Sequence, residues 1–350
     1  MKTRAVDDQT NRHRTNASAL WQLLVQAALL FSLVSAGYAQ KIISIDVPGS
    51  YSTFALAINS KGQIAGSYQD SPGVFSARHG FLRDEDGTLT LFDVPGAFAT
   101  VAQAINSKGQ IAGSYATTSA FLSHGFLREE DGTFTSFDVP GAFQTQAGAI
   151  NSNGEIAGSY YTPSPFLPHG FLRYKDGTII SFDPPGSIDT EPYAINSEGQ
   201  IAGYYEDTAF NFHGFLRYKD GILTSFDPPG STFTIATSIN SEGQIVGVFS
   251  DPSFTYHGFL RYKDGTLTSF DAPGAFGVTS PSAINSEGQI VGRTKFSGFL
   301  RNEDGTFTVI AVPGASLTRP NAINSEGQVV GSYLAPGGAT NGAFSLSTDE

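Results

Sequence analysis

The chain has 350 residues, of which 40 are Gly and none is Cys; 40% are hydrophobic and only 15% charged. A net charge of −12 leaves no basic footprint for nucleic acid and disfavours anionic membrane surfaces. The missing Cys excludes disulfides, thiolate metal sites and a cysteine nucleophile, and the apolar content excludes wholesale disorder.

The first forty residues stand apart. Lys2, Arg4, Arg12 and Arg14 precede the apolar run ALWQLLVQAALLFSLVSA, and Gly37 and Ala39 occupy small-residue positions after it. This order predicts a secretory signal over residues 1–39, cleaved near Ala39, and hence an extracellular or periplasmic protein with no membrane contact after cleavage. The alternative is an uncleaved anchor, for which the run is at the short end.

The mature chain opens with one strand, KIISIDVPG (41–49). A twelve-residue phrase then recurs seven times. It begins as AINSKGQIAGSY at 57–68 and places Asn at 59, 106, 151, 196, 240, 285 and 324. The spacings are 47, 45, 45, 44, 45 and 39 residues, a period shared by propeller blades and helical repeats. Within one unit, 103–138, no apolar stripe runs at helical spacing. Short apolar pieces (QAIN, QIAGSY, HGFLR, TFTSFD) alternate with Gly-bearing turns (SKG, EEDG), and Pro140-Gly141 stops the last piece. Four strands per unit, a to d in chain order, predict a propeller blade.

The chain ends with a (321–324), b (328–333) and c (342–346) but no d. The lone N-terminal strand supplies it. An open β-solenoid has no reason to split a unit in this way. The expected fold is therefore all-β: a seven-bladed β-propeller of four-stranded antiparallel blades over residues 40–350, its last blade closed by the N-terminal strand. Either a or c fits as the innermost strand.

The phrases H-G-F-L-R (His79, His124, His169, His213, His257), F-D-x-P-G and A-I-N-x-x-G-x-I-x-G resemble the HAF-repeat family of secreted bacterial proteins. Gly stands here for the family's Ala, and units six and seven depart with Ser297-Gly298-Phe299 and Gly342-Ala343-Phe344. The resemblance covers nearly all of 41–346. It implies secretion and brings no activity with it.

Residues present in every blade are expected to build blades, because a catalytic site needs its residues once. Equivalent His residues in adjacent blades stand too far apart to share the ~2 Å bonds of a metal, so each is expected to bond neighbouring backbone. The Asp residues of F-D-x-P-G (46, 93, 138, 183, 227, 271) and of the hairpins (86, 131, 176, 220, 264, 304) are expected to cap local amides. No catalytic triad, zinc or phosphate-loop motif is visible, and the sequence predicts no cofactor and no metal.

Function is expected where blades differ. The b–c and d–a loops share one face, and the b–c loops are long, variable and aromatic. They offer Phe75, Phe121, Tyr161, Phe166, Phe212, Phe254 and Tyr256 as candidate ligand contacts. The sixth b–c loop, RTKFS, adds Arg293 and Lys295 as a basic notch in acidic surroundings. The sequence thus predicts a secreted, non-catalytic binding or structural module for an extracellular glycan, protein or peptide. The competing class is an extracellular carbohydrate-active enzyme, a hydrolase or lyase. Such an enzyme would show unrepeated acids, bases or nucleophiles converging on one place.

Overall fold

The computed structural model describes residues 40–73, 76–117, 122–164, 166–337 and 341–348. The expected signal segment 1–39, Phe75 and Phe121 lie outside the described residues. Among those described, 28 strands form seven antiparallel sheets of four, with no helix. Blades I to VI use consecutive strands: residues 52–92, 99–137, 144–182, 187–226, 233–270 and 280–310. Blade VII joins Leu317–Ile323, Val329–Leu334 and Asn341–Thr348 to the first strand of the chain, Gln40–Ser44. Ile45 N donates to Ala343 O at 3.0 Å, and Ala343 N donates to Asp46 Oδ1 at 2.7 Å. The protein is a closed seven-bladed β-propeller, as the divided last unit predicts.

Strand a of every blade touches strand a of both neighbouring blades around the whole ring. Strand a is therefore innermost and strand d outermost. The four strands alternate in direction, so the tight a–b and c–d turns lie on one face and the b–c and d–a loops on the other.

The blade phrase packs as follows. The Phe of each G-F-L-R or A-F-S-L piece (Phe81, Phe126, Phe171, Phe215, Phe259, Phe299, Phe344) is fully buried. Opposite each lies the Gly of I-x-G on strand b. A Cβ on Gly113 would collide with the Val101 carbonyl oxygen and the Phe126 ring, so close approach is what demands glycine there. Neighbouring blades then meet through apolar faces, such as Ala112, Leu127 and Val139 of blade II against Ile150, Ile156 and Phe171 of blade III. Full burial of each larger side chain of this kind contributes about 1.5–3 kcal/mol.

The repeated Asn closes the ring. Asn59 Nδ2 donates to the carbonyl of Asn106, Asn106 to that of Asn151, and so on through Asn196, Asn240 and Asn285 to Asn324, which donates to Asn59. In Asn196 the second Nδ2 hydrogen goes to Gln200 Oε1, and Oδ1 accepts from the amides of Glu198 and Gln200. That satisfies all four hydrogen-bonding positions of the side chain. One side chain thus folds its own turn and ties its blade to the next, which is why the phrase recurs seven times.

Candidate functional site

The other repeated polar residues also build blades, with partners partly different from those expected. Each His donates Nδ1–H to the F-D-x-P-G carboxylate of its own blade: His79 to Asp93, His124 to Asp138, His169 to Asp183, His213 to Asp227 and His257 to Asp271, at 2.7–2.9 Å. The partner is a side chain on strand d and not backbone, because the Asp of the adjacent strand lies level with the ring. Both partners are lost together in blade VI, whereas blade VII keeps only the Asp. Blade VI has Ser297 and Ala311 instead. In blade VII the Tyr333 ring takes the place of a side chain at Gly342, and its hydroxyl donates to Asp46 Oδ2 at 3.2 Å. The hairpin Asp residues do cap amides, as expected: Asp131 Oδ1 accepts from Thr133 N at 2.9 Å. The strand-c Arg residues stack between blades, as Arg128 does 5.0 Å from the Phe92 centroid.

The long-loop face is different. Blades IV and V turn from b to c through Asp207-Thr208-Ala209-Phe210-Asn211 and Asp251-Pro252-Ser253-Phe254-Thr255. These five-residue turns repeat the a–b turn Asn196-Ser197-Glu198-Gly199-Gln200 bond for bond. The first residue exchanges backbone bonds with the fourth and fifth, and its side-chain oxygen caps the third and fifth amides. The a–b turn has Gly199 at the left-handed position (φ +79°). The b–c turns put Phe210 (φ +65°) and Phe254 (φ +60°) there, with 72% and 80% of the side chain exposed. Phe276 (φ +49°, 76% exposed) repeats the anomaly on the d–a loop after blade V, 6.1 Å from the ring of Phe296. A non-Gly residue held in this region costs about 1 kcal/mol or more.

These turns are anchored. Asp207 Oδ2 also meets His213 Nε2 at 3.3 Å, so Asp227, His213 and Asp207 form a line running to the turn that holds Phe210. The amides and amide side chain of that turn, then the histidine, hold the Asp207 carboxyl down at about 2. Burial works against the charge on His213, but the two carboxylates outweigh it and raise its pKa above 6.5.

The predicted aromatics divide. Phe254 and Tyr256 are exposed, and Tyr256 packs edge-on to Phe233. Phe166 is half exposed, stacked on Tyr161 at 4.9 Å and edge-on to Phe143. Phe212 is half buried between Tyr204 and Phe233. Lys295 is exposed, its Nζ 5.3 Å over Phe296. Arg293 instead lies half buried at the end of strand b of blade VI; burial and Arg319 of blade VII both lower its pKa.

Sequence reasoning missed the inner wall. Strand a reads Thr-x-Ala/Pro-y-Ala-Ile-Asn in the first four and last two blades and Thr-x-Ala-y-Ser-Ile-Asn in blade V. The Thr and the Ala/Pro are buried, whereas x and y are partly or fully exposed and differ in every blade. Position x is Phe54, Val101, Gln146, Glu191, Ile235, Ser280 and Arg319. In blade IV this wall gathers an unrepeated cluster. Tyr161 of blade III donates to Glu191 Oε1 at 3.3 Å, and the Tyr193 and Tyr204 rings lie 5.7 Å apart. Asp189 pairs across the sheet with Glu206, and its Oδ1 is buried without a hydrogen-bond partner. Burial, then Glu191 and Glu206, push the Asp189 carboxyl up to about 7. Burial also raises Glu191, and with Glu191 nearby it takes Tyr161 to about 12. The signal was in the sequence, as variation confined to x and y between constant neighbours.

A 570 Å³ hollow lined by Glu198, Gln200, Tyr218, Lys219 and Asp220 lies on the opposite, tight-turn face and is made of repeat residues. Among the described residues no group of three or more His, Asp or Glu is placed to hold a metal ion. Nor is any helix among them long and apolar enough to cross a membrane.

No protein-family model matches the chain, and no curated protein matches it. Solved structures do. A streptogramin B lyase is 15% identical over 89% of this chain and 98% of its own, with a TM-score of 0.59. Virginiamycin B lyase from Staphylococcus aureus is 13% identical over 88% and 98%, also at 0.59. The β-propeller domain of the Trilobed protease from Pyrococcus furiosus, described as having an open velcro topology, is 11% identical over 85% and 96%, at 0.61. At these identities the likeness is one of fold, and the activities in those names do not transfer.

Proposed function

We propose that the protein is a secreted, non-catalytic binding module, related to the HAF-repeat proteins, that takes an extracellular glycan or peptide on its long-loop face. One observation carries this reading: Phe210 and Phe254 stand, strained and exposed, in turns whose inner-ring counterparts have Gly. The fold gains nothing from these rings, and a rigid, pre-ordered aromatic is what a binding surface requires. Phe276, Phe296, Phe166 and Tyr256 extend the surface.

The test is a glycan and peptide array probed with the mature chain and with Phe210→Gly/Phe254→Gly. The double variant should keep its stability or gain up to about 1 kcal/mol, since it relieves two left-handed residues. It should also lose binding at least tenfold. A variant that is less stable than the parent and binds as well would end the proposal.

The second reading, an extracellular carbohydrate-active enzyme, is favoured by the unrepeated Asp189–Glu191 pair, in which one carboxyl is pushed to about 7 and can hold a proton near neutrality. Product analysis of any array hit separates the two. Ligand recovered intact supports the module, and released fragments, absent with Asp189→Asn, support the enzyme.

A further inference from the structure

The channel wall carries charge of both signs, sorted by side. Glu191 and Arg319 are the same position of strand a, each directly after the buried Thr (Thr190, Thr318), in blades IV and VII. Glu191 reaches Tyr161 of blade III, so it marks the III–IV boundary, which in a closed ring of seven lies opposite blade VII. Both positions sit near the long-loop end of strand a; the Asn ring marks the other end.

Neither side is neutralised from within. Near Asp189 and Glu191 the surrounding charges are Glu206, Asp183 and only one base, His169, already bonded to Asp183. Asp189 Oδ1 is buried and unpartnered. Opposite, Arg293 is half buried and its charged neighbour is another guanidinium, Arg319, with no carboxylate among the described residues offsetting the repulsion. A fold gains nothing from two like-charge pairs left unpaired on facing walls. Both costs would be relieved by one guest that brings a cation to one wall and an anion to the other.

The strand-a positions next to these charges lack an N–H. In blade III the Ala147 amide bonds Ser114 Oγ of the preceding blade. At the equivalent place blade IV has Pro192, with no N–H, and the equivalent Ser159 hydroxyl turns to Glu191. Blade VII has Pro320 at this place, and Arg293 occupies the position on blade VI that Ser114 has on blade II. Blade VI also has Pro there (Pro281, after Ser280), so blades IV, VI and VII all lack this N–H.

We propose that the long-loop mouth of the axial channel binds a small dipolar molecule, with its cationic group against Asp189 and Glu191 and its anionic group against Arg293 and Arg319. Free amino acids, betaines and short peptides with free ends have this chemistry. The tyrosines at 161, 193 and 204 form an aromatic side to the cationic end, where an ammonium is also favoured over ring faces. The inference rests on the protein being a binding module but concerns a different site from the loop-tip phenylalanines, and its test reads a different ligand.

The experiment is calorimetric titration of the mature chain with triglycine, β-alanine and glycine betaine at millimolar concentrations. At least one should bind. Blocking either end, as N-acetyl-triglycine or triglycine amide for the peptide, should weaken binding at least tenfold, as should Glu191→Gln or Arg319→Gln. The capped ligands decide the matter on the unaltered protein should either variant fail to fold. No binding by any of the three, or equal binding by capped and free forms, overturns the proposal. The array result for the loop-tip surface stands or falls separately.

Discussion

The two ends of the inner strands solve opposite problems. At the tight-turn end, all seven Asn side chains commit both Nδ2 hydrogens to the ring and to their own turns, and in five of the seven Oδ1 also accepts two turn amides. At the long-loop end the same strands carry an unpaired carboxylate oxygen and the Arg319 guanidinium, which faces Arg293 of the neighbouring strand b, and beyond them stand phenylalanines in a backbone region that suits Gly. Saturation marks the part that holds the ring together. Unmet valence and strain mark the part that does not serve closure. Substitutions at the first end should therefore cost stability, and at the second they should cost little or even stabilise.

The largest expected effect contrasts two glycines in adjoining blades. Gly113 is closed in by the Val101 carbonyl and the Phe126 ring, so Gly113→Ala forces a backbone shift in the blade core. It should cost about 3 kcal/mol or more in urea unfolding. Gly148, at the variable bulge position y, has nothing closer than Pro192 O at 3.5 Å. Gly148→Ala should fall within about 0.5 kcal/mol of the parent. Equal effects would mean that the variable wall is packed as tightly as the framework.

Next comes the ring itself. Asn196→Ala removes four hydrogen bonds at a buried position, leaves two turn amides without partners and leaves the Asn240 carbonyl with the Gly243 amide alone. The expected loss is about 3 kcal/mol, from penalties of about 1–3 kcal/mol per orphaned buried group that water partly relieves. A loss below about 1 kcal/mol would show that the ring is incidental to closure.

What the sequence made legible follows the same division. Periodicity reports whatever every blade must have, so blade number, strand order and the closing strand could be read from the seven phrases and the divided last unit. Periodicity is blind to what only one blade has. Asp189 and Glu191 look like two polar letters in SIDTEPYAI until strand a is known to be innermost, and alternation along a strand fits either phasing. The His–Asp bond was within reach, because blade VI loses His and Asp together at Ser297 and Ala311. The left-handed Phe residues were not, since D-T-A-F-N and D-P-S-F-T do not resemble N-S-E-G-Q until their hydrogen bonds are compared.

The smallest effect has the opposite sign and is the most telling. The Asp189 carboxyl titrates at about 7 in the folded protein against 3.8 for an unperturbed group, because it is buried beside Glu191 and Glu206. Protons are therefore held more tightly by the folded than by the unfolded chain between those two values. Stability attributable to this group is full below about pH 4 and declines as pH rises toward about 7. Asp183 adds to the repulsion, and His169 only partly offsets it. Asp189→Asn removes the charge at nearly constant shape, so it should leave stability at pH 4 unchanged and raise it at pH 8 by about 1 kcal/mol, once solvent screening of a half-buried group is allowed for. Urea unfolding at the two pH values reads the difference directly. A framework aspartate such as Asp131, whose charge is stabilised by the Thr133 amide, should show the reverse, with Asp131→Asn weakening the fold at pH 8. If Asp189→Asn also weakened the fold at pH 8, the channel carboxylates would belong with the framework, and the distinction between the two ends would fail where it is drawn most finely.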